Sequence, residues 1–113
     1  MASISSIRLK CEPLRYLAFG SIAAGYAGIG TALLHPARMI LVQNLTDALL
    51  MFSFDAVDDH FPLAAGDKLI LDITTNKSVV NSFVWPEAQR LYVRQVLVPT
   101  TGSVALTVFY GAE

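Results

Sequence analysis

The chain is short of charge. Only 15% of its 113 residues are Asp, Glu, Lys or Arg, against about a quarter in an ordinary soluble domain, while 54% are hydrophobic. Eight basic and nine acidic residues leave a net charge of −1, and no run of Lys and Arg occurs. A nucleic-acid footprint needs a clustered basic excess, so no nucleic-acid partner is expected. There is one cysteine, Cys11, so no disulfide can close within the chain. The short motifs of common chemistries are missing as well. There is no G-x-S-x-G elbow, Cys11 has no histidine beside it in sequence, and His35 and His60 stand in no zinc-binding spacing. The run Gly25-Tyr-Ala-Gly28-Ile-Gly30 has the glycines of a phosphate loop but neither the dinucleotide order nor a following Lys-Ser/Thr pair. With no acid–base or nucleophile pair in view, the expectation is a protein that is not an enzyme and uses no cofactor.

What the chain does have is apolar surface. Its length suits one domain, which buries roughly two thirds of its unfolded surface. So high an apolar fraction cannot all be hidden in a lone small domain, so part of it should face another subunit, another protein or a membrane. The expected organisation is a single domain over residues 1–113, with residues 1–13 as an extended N-terminal arm. Arg8 and Lys10 precede an apolar stretch, but Glu12 and Pro13 interrupt it, which does not fit a signal peptide. Tyr16 to Leu34 is uncharged and nearly long enough to span a bilayer. Its glycines at 20, 25, 28 and 30 make a poor helix, so the reading is two short strands, Leu14–Phe19 and Tyr26–Leu33, joined by a glycine-rich bend. No membrane partner is expected.

From residue 37 the hydrophobic period is two. Ile40 and Val42 alternate with Met39 and Leu41, and Asn44 to Asp47 reads as a turn. Ala48–Phe54 is apolar on both faces, as in a central strand, and Phe61–Leu63 holds Pro62 and reads as an edge. Lys68–Thr74 alternates Leu69, Leu71 and Ile73 against Lys68, Ile70 and Asp72. Phe83–Trp85 is extended, and Leu91–Val98 and Ser103–Tyr110 alternate again, the last with Val104, Leu106, Val108 and Tyr110 on one face. About eight strands at spacings of roughly ten residues, and no capped helix, predict an all-β fold: a single antiparallel β-sandwich or jelly roll.

Three features are candidates for a site. The acidic loop with Asp55, Asp58 and Asp59 spaces its carboxylates closely enough to ligate one calcium ion, but lacks the EF-hand order, and reads as a solvated turn. Asn44-Leu-Thr46 and Asn76-Lys-Ser78 match the glycosylation pattern and read as chance matches. The aromatics Tyr16, Tyr26, Trp85, Tyr92 and Tyr110 lack interleaved basic residues and are expected in the core or at a subunit interface; the interface set is Ile4, Ile7 and Leu9 of the arm with Tyr26, Trp85, Tyr92 and Tyr110.

Several segments together resemble the small structural proteins of tailed bacteriophage particles. They are Ile40-Leu-Val-Gln-Asn44-Leu-Thr-Asp47, Phe52-Ser-Phe-Asp55 with Asp58-Asp59-His60-Phe61, Leu63-Ala-Ala-Gly66, Leu91-Tyr-Val-Arg-Gln95, and Pro99-Thr-Thr-Gly102-Ser-Val-Ala-Leu-Thr-Val-Phe-Tyr110-Gly111. The resemblance covers residues 37–111, and more loosely 14–34; it is a pattern of strand and turn, not a catalytic signature. Related proteins often place Gly after the aspartate of the acidic turn, where this chain has Ala56. The resemblance implies a virion protein of the capsid cement or decoration type, clamping neighbouring major capsid subunits and forming homo-oligomers. Its alternatives are a head–tail connector or tail component, and a carbohydrate-binding module using Trp85, Tyr92 and the Asp55 loop.

Overall fold

The computed structural model of the chain describes residues 8–72 and 85–112. Within them the period of two becomes nine strands: β1 (Arg8–Cys11), β2 (Arg15–Ala18), β3 (Ala27–Gly28), β4 (Met39–Asn44), β5 (Leu50–Ser53), β6 (Phe61–Leu63), β7 (Lys68–Asp72), β8 (Tyr92–Gln95) and β9 (Ser103–Ala112). All pair antiparallel. One sheet runs β1-β9-β4-β7, with β2 also paired to β9; the other runs β3-β8-β5-β6. β1 lies along Phe109–Ala112 and β2 along Ser103–Leu106, so together they form one edge strand broken at Glu12–Leu14. Counting β1 and β2 as one, the eight strands cross between sheets in the order of a jelly roll.

The core lies where the inward faces of the two sheets meet. Ile40 and Val42 of β4, Leu50 and Phe52 of β5, Val93 of β8, and Val104, Leu106 and Val108 of β9 are all buried, with Ile29 and Leu91 from the loops. Burying a side chain of this size contributes about 1.5 to 3 kcal/mol, so this inward set is the main source of stability. Phe61 stacks on Phe52 with ring centroids 5.1 Å apart, and Phe54 packs edge-on against Trp85 at 5.3 Å. Asn44 sits at the inward end of β4 and is fully buried. Its amide donates to the Ala48 and Leu63 carbonyls at 2.9 Å, and its Oδ1 accepts from Thr46 N–H and Oγ1. Asn44-Leu-Thr46 is therefore a buried turn brace, closed to a glycan; Asn76 lies outside the described residues.

The structure departs from the sequence reading in places. The strand expected over Tyr26–Leu33 shrinks to β3, because residues 29–34 turn to meet Glu12, Arg15 and Gln89 instead. The strand expected over Leu91–Val98 ends at Gln95, and Val96, Leu97 and Val98 stand exposed in the following loop. Of the expected arm, residues 8–11 pair with this chain's own β9. Trp85 forms an isolated bridge with Ala37, while residues 83 and 84 of the strand expected there lie outside the described residues. Residues 16–34 hold β2, a 3₁₀ turn (Phe19–Ser21) and β3, and no helix among the described residues is long and apolar enough to cross a membrane.

Candidate functional site

The outer face of the five-stranded sheet is the feature that stands out. Alternation fixes its members, because β4 buries every second residue and leaves Met39, Leu41 and Gln43 outward. Register then builds rows across the sheet. One row is Tyr16, Ala105, Gln43 and Lys68; the next is Thr107, Leu41 and Ile70; a third is Cys11, Phe109, Met39 and Asp72. Leu9 and Gly111 follow on the β1 side. An antiparallel sheet with one face on the core usually shows a polar second face. Here the charges among the described residues are Lys68 and Asp72, both on β7. Leu9, Tyr16 and Ile70 are 62%, 65% and 61% exposed, so the face is apolar and open.

The broken edge of this sheet is held by a buried polar clasp. Pro13 lacks an N–H and interrupts the strand. Beside it the Glu12 carboxylate, with no exposed side-chain surface, accepts from Arg15 Nη2 at 2.7 Å, from Leu34 N–H at 3.1 Å, and pairs with His35 Nδ1 at 2.8 Å. Arg15 donates onward to the Thr31 and Ala32 carbonyls at 2.8 and 2.9 Å. The His35 ring stacks flat on Tyr110, centroids 3.7 Å apart. Burial alone would raise the Glu12 pKa, but His35, the Leu34 N–H and Arg15 outweigh it and hold the carboxyl below its usual value. Gly30 has φ +68°, and a Cβ there would meet the Arg15 Cβ at 2.8 Å, so the clasp needs glycine at this position. Gly28 lets the Arg90 guanidinium lie against the backbone, where a Cβ would be 2.1 Å from Nη2; Gly25 has open space around it. A shallow groove of about 240 Å³ beside the clasp is lined by Leu14, Tyr16, Thr31 and Leu34 among others.

The acidic loop folds onto itself. Asp55 Oδ1 accepts from the Ser53 hydroxyl and from the N–H groups of Val57 and Asp58, and these bonds lower its pKa to about 2. Ala56 beside it has φ +63°, the left-handed conformation that related turns give to Gly. Asp59 pairs bidentately with Arg94, Nη2 to Oδ2 at 2.7 Å, while Tyr26 donates its hydroxyl to Asp59; the Arg94 bonds first, then Tyr26, hold Asp59 at about 2. The candidate trio thus divides. Ligand atoms of Asp55 and Asp58 lie within 4.8 Å of one on His60, not Asp59. His60 Nδ1 accepts the Phe54 N–H at 2.9 Å, so a neutral ring carries its proton on Nε2 and offers no lone pair to a cation. The arrangement is that of a braced hairpin turn.

The expected interface residues divide too. Leu9 is open on the outer face, but Ile4 and Ile7 lie outside the described residues. Trp85 is only 9% exposed and belongs to the core, which removes it from any interface or sugar-stacking platform. Tyr26, Tyr92 and Tyr110 are half-buried, held respectively by Asp59, by Arg90 above the ring and by His35. Sequence reading missed Ile70 and the clasp, while Tyr16, one of the aromatics expected in the core or at an interface, lies open on this face. The signal for the face was the outward half of each alternating strand, which is unusually free of charge.

No protein-family model and no curated protein matches the chain. Among solved structures, a chain from Bacillus endospore appendages, described as a novel family of disulfide-linked pili, is similar over 96% of this chain and 93% of that one, with 14% sequence identity and a TM-score of 0.44. At that score the likeness bears on neither assembly nor role.

Proposed function

We propose that the chain is a non-catalytic structural subunit that works inside a larger protein assembly. The observation that supports this reading is the outer face of the β1/β2-β9-β4-β7 sheet, where Leu9, Tyr16, Leu41, Phe109 and Ile70 form an apolar surface and, among the described residues, charge lies only along β7. Such a face suits a flat neighbour better than a small ligand. The finer reading is a virion role as a capsid cement protein over neighbouring major capsid subunits, to which residues 37–111 bear the resemblance. The carbohydrate-binding alternative loses its platform with Trp85 in the core.

The test is fractionation of particles from cells that make the protein, followed by antibody labelling in the electron microscope. Label spread over the shell is the expected outcome. Label confined to the neck or tail would replace the cement reading with a connector. A protein that never sediments with particles, and stays monomeric alone, would sink the assembly reading altogether.

A further inference from the structure

The strands begin and end at two poles. Ala18, Asn44, Leu63 and Gln95 end their strands at one of them, while Arg8, Asp72 and Ala112 lie at the other. Four loops close the first pole: residues 19–25, 45–49, 64–67 and 96–102, all of them described. They contain two carboxylates, Asp47 and Asp67, and no Lys, Arg or His.

The large apolar side chains of three of these loops stand in water. Leu45, Leu97 and Val98 are 52%, 60% and 70% exposed, and Phe19 and Val96 are 38% and 42% exposed. Backbone bonds gather them at one place. Phe19 donates its N–H to the Gly102 carbonyl at 3.0 Å, and Leu45 to the Ser103 carbonyl at 2.8 Å. Val96 and Leu97 both donate to the Leu49 carbonyl, at 3.2 and 3.1 Å. Gly102, at φ +87°, lies so close to Leu45 that a Cβ there would be 2.1 Å from its carbonyl oxygen.

The same bonds turn main-chain donors inward. The Asp47 carboxylate is occupied too: it accepts the Thr100 N–H at 2.8 Å, the Thr101 N–H at 3.3 Å and the Thr100 hydroxyl. Pro99 is buried between them, so the turn holds Leu97 and Val98 outward. A loop can leave water without large cost only when its polar groups are already paired. The side chains at this pole also bear on the kind of neighbour. Hot spots of protein contacts favour Trp, Tyr and Arg, with Leu, Val, Ser and Thr under-represented. The four loops hold no Trp, Tyr or Arg. An uncharged, aliphatic pole fits an apolar phase better than a protein pocket.

We propose that this pole seats on a phospholipid surface, with Phe19, Leu45, Leu97 and Val98 entering the boundary between headgroups and acyl chains. The contact lies away from the outer sheet face and does not rest on the assembly reading. Binding of this kind scales with the apolar area buried, since the pole has no cation to draw it to anionic lipid.

The test is flotation of the purified protein with phosphatidylcholine vesicles. The protein should float equally at low and high salt, with no gain from added phosphatidylserine. Leu97→Asp with Val98→Asp should lower the bound fraction about tenfold or more, with circular dichroism showing that the variant is folded. Tryptophan emission of the Phe19→Trp variant should shift to the blue when vesicles are added; that of the parent, whose Trp85 is in the core, should not. A protein that stays unbound at about 1 mM lipid would overturn the proposal. So would flotation that the Leu97/Val98 variant leaves unchanged, or flotation that requires phosphatidylserine and low salt. Self-association without vesicles, lost in the same variant, would give the pole to a second copy and overturn the lipid contact. Leu9→Lys with Tyr16→Lys, on the outer face, should float as the parent does, which keeps this test separate from that of the assembly reading.

Discussion

Glu12 is the residue on which the broken edge depends. Its carboxylate has no exposed surface and binds Arg15, the Leu34 N–H and His35 together. Truncating one member of a buried pair leaves the other charge unpaired, so Glu12→Ala should destabilise the protein by about 3 kcal/mol or more, read as a lower urea midpoint. The pH dependence has a definite sign. The folded carboxyl titrates below its usual 4.5, so the unfolded chain binds the proton first. The clasp's contribution is complete above that usual value and is lost as pH falls through the lower folded one. Melting temperature should therefore fall as pH is lowered from about 6 to about 3, and Glu12→Gln should flatten that slope. An unchanged slope in the variant would place the acid sensitivity elsewhere. Ala56 makes the opposite prediction. Its φ of +63° costs an L-residue about 1 to 2 kcal/mol, part of which Gly recovers at some entropic cost in the unfolded chain. Ala56→Gly should stabilise by about 0.5 to 1 kcal/mol in the same urea titration; a lower midpoint would count against the strain argument.

At the scale of elements, β1 changes what the first residues are expected to do. Read from sequence, residues 1–13 are an extended arm, and deleting residues 1–12 is expected to leave the fold intact. In the structure, β1 pairs with β9, and Glu12 anchors the segment that follows it. A chain lacking residues 1–12 should therefore melt well below the parent, by at least the margin of Glu12→Ala. An unchanged melting temperature would restore the arm picture. The strands were legible because alternation is local. Ile40/Val42, Leu69/Leu71 and Val104/Leu106/Val108 announce both strand and inward face within a few residues, and Pro62 marks its strand as an edge. The clasp was not legible, since its partners lie 3, 22 and 23 residues from Glu12 and only the fold brings them together. Trp85 was left between core and interface for the same reason: only the fold brings Ala37 and Phe54 against it.

For the whole molecule, the balance is between a core that closes on itself and an outer face that does not. The inward residues of both sheets satisfy one another, so monomer stability makes no demand on Leu9 or Tyr16, each more than three-fifths exposed. Their apolar character therefore requires another reason, and contact with a neighbour supplies one. Leu9→Lys with Tyr16→Lys tests this directly. Exposed positions of this kind typically shift stability by less than about 0.5 kcal/mol each, so the melting temperature should stay close to that of the parent. Association should not: placing two cations on a face whose charges, among the described residues, are otherwise confined to β7 should lower the fraction bound to particles, or to other copies, at matched concentration in a sedimentation assay. The two readouts separate the roles. If melting falls while association holds, these side chains serve the fold. If association falls alone, the open face is where the molecule meets its assembly.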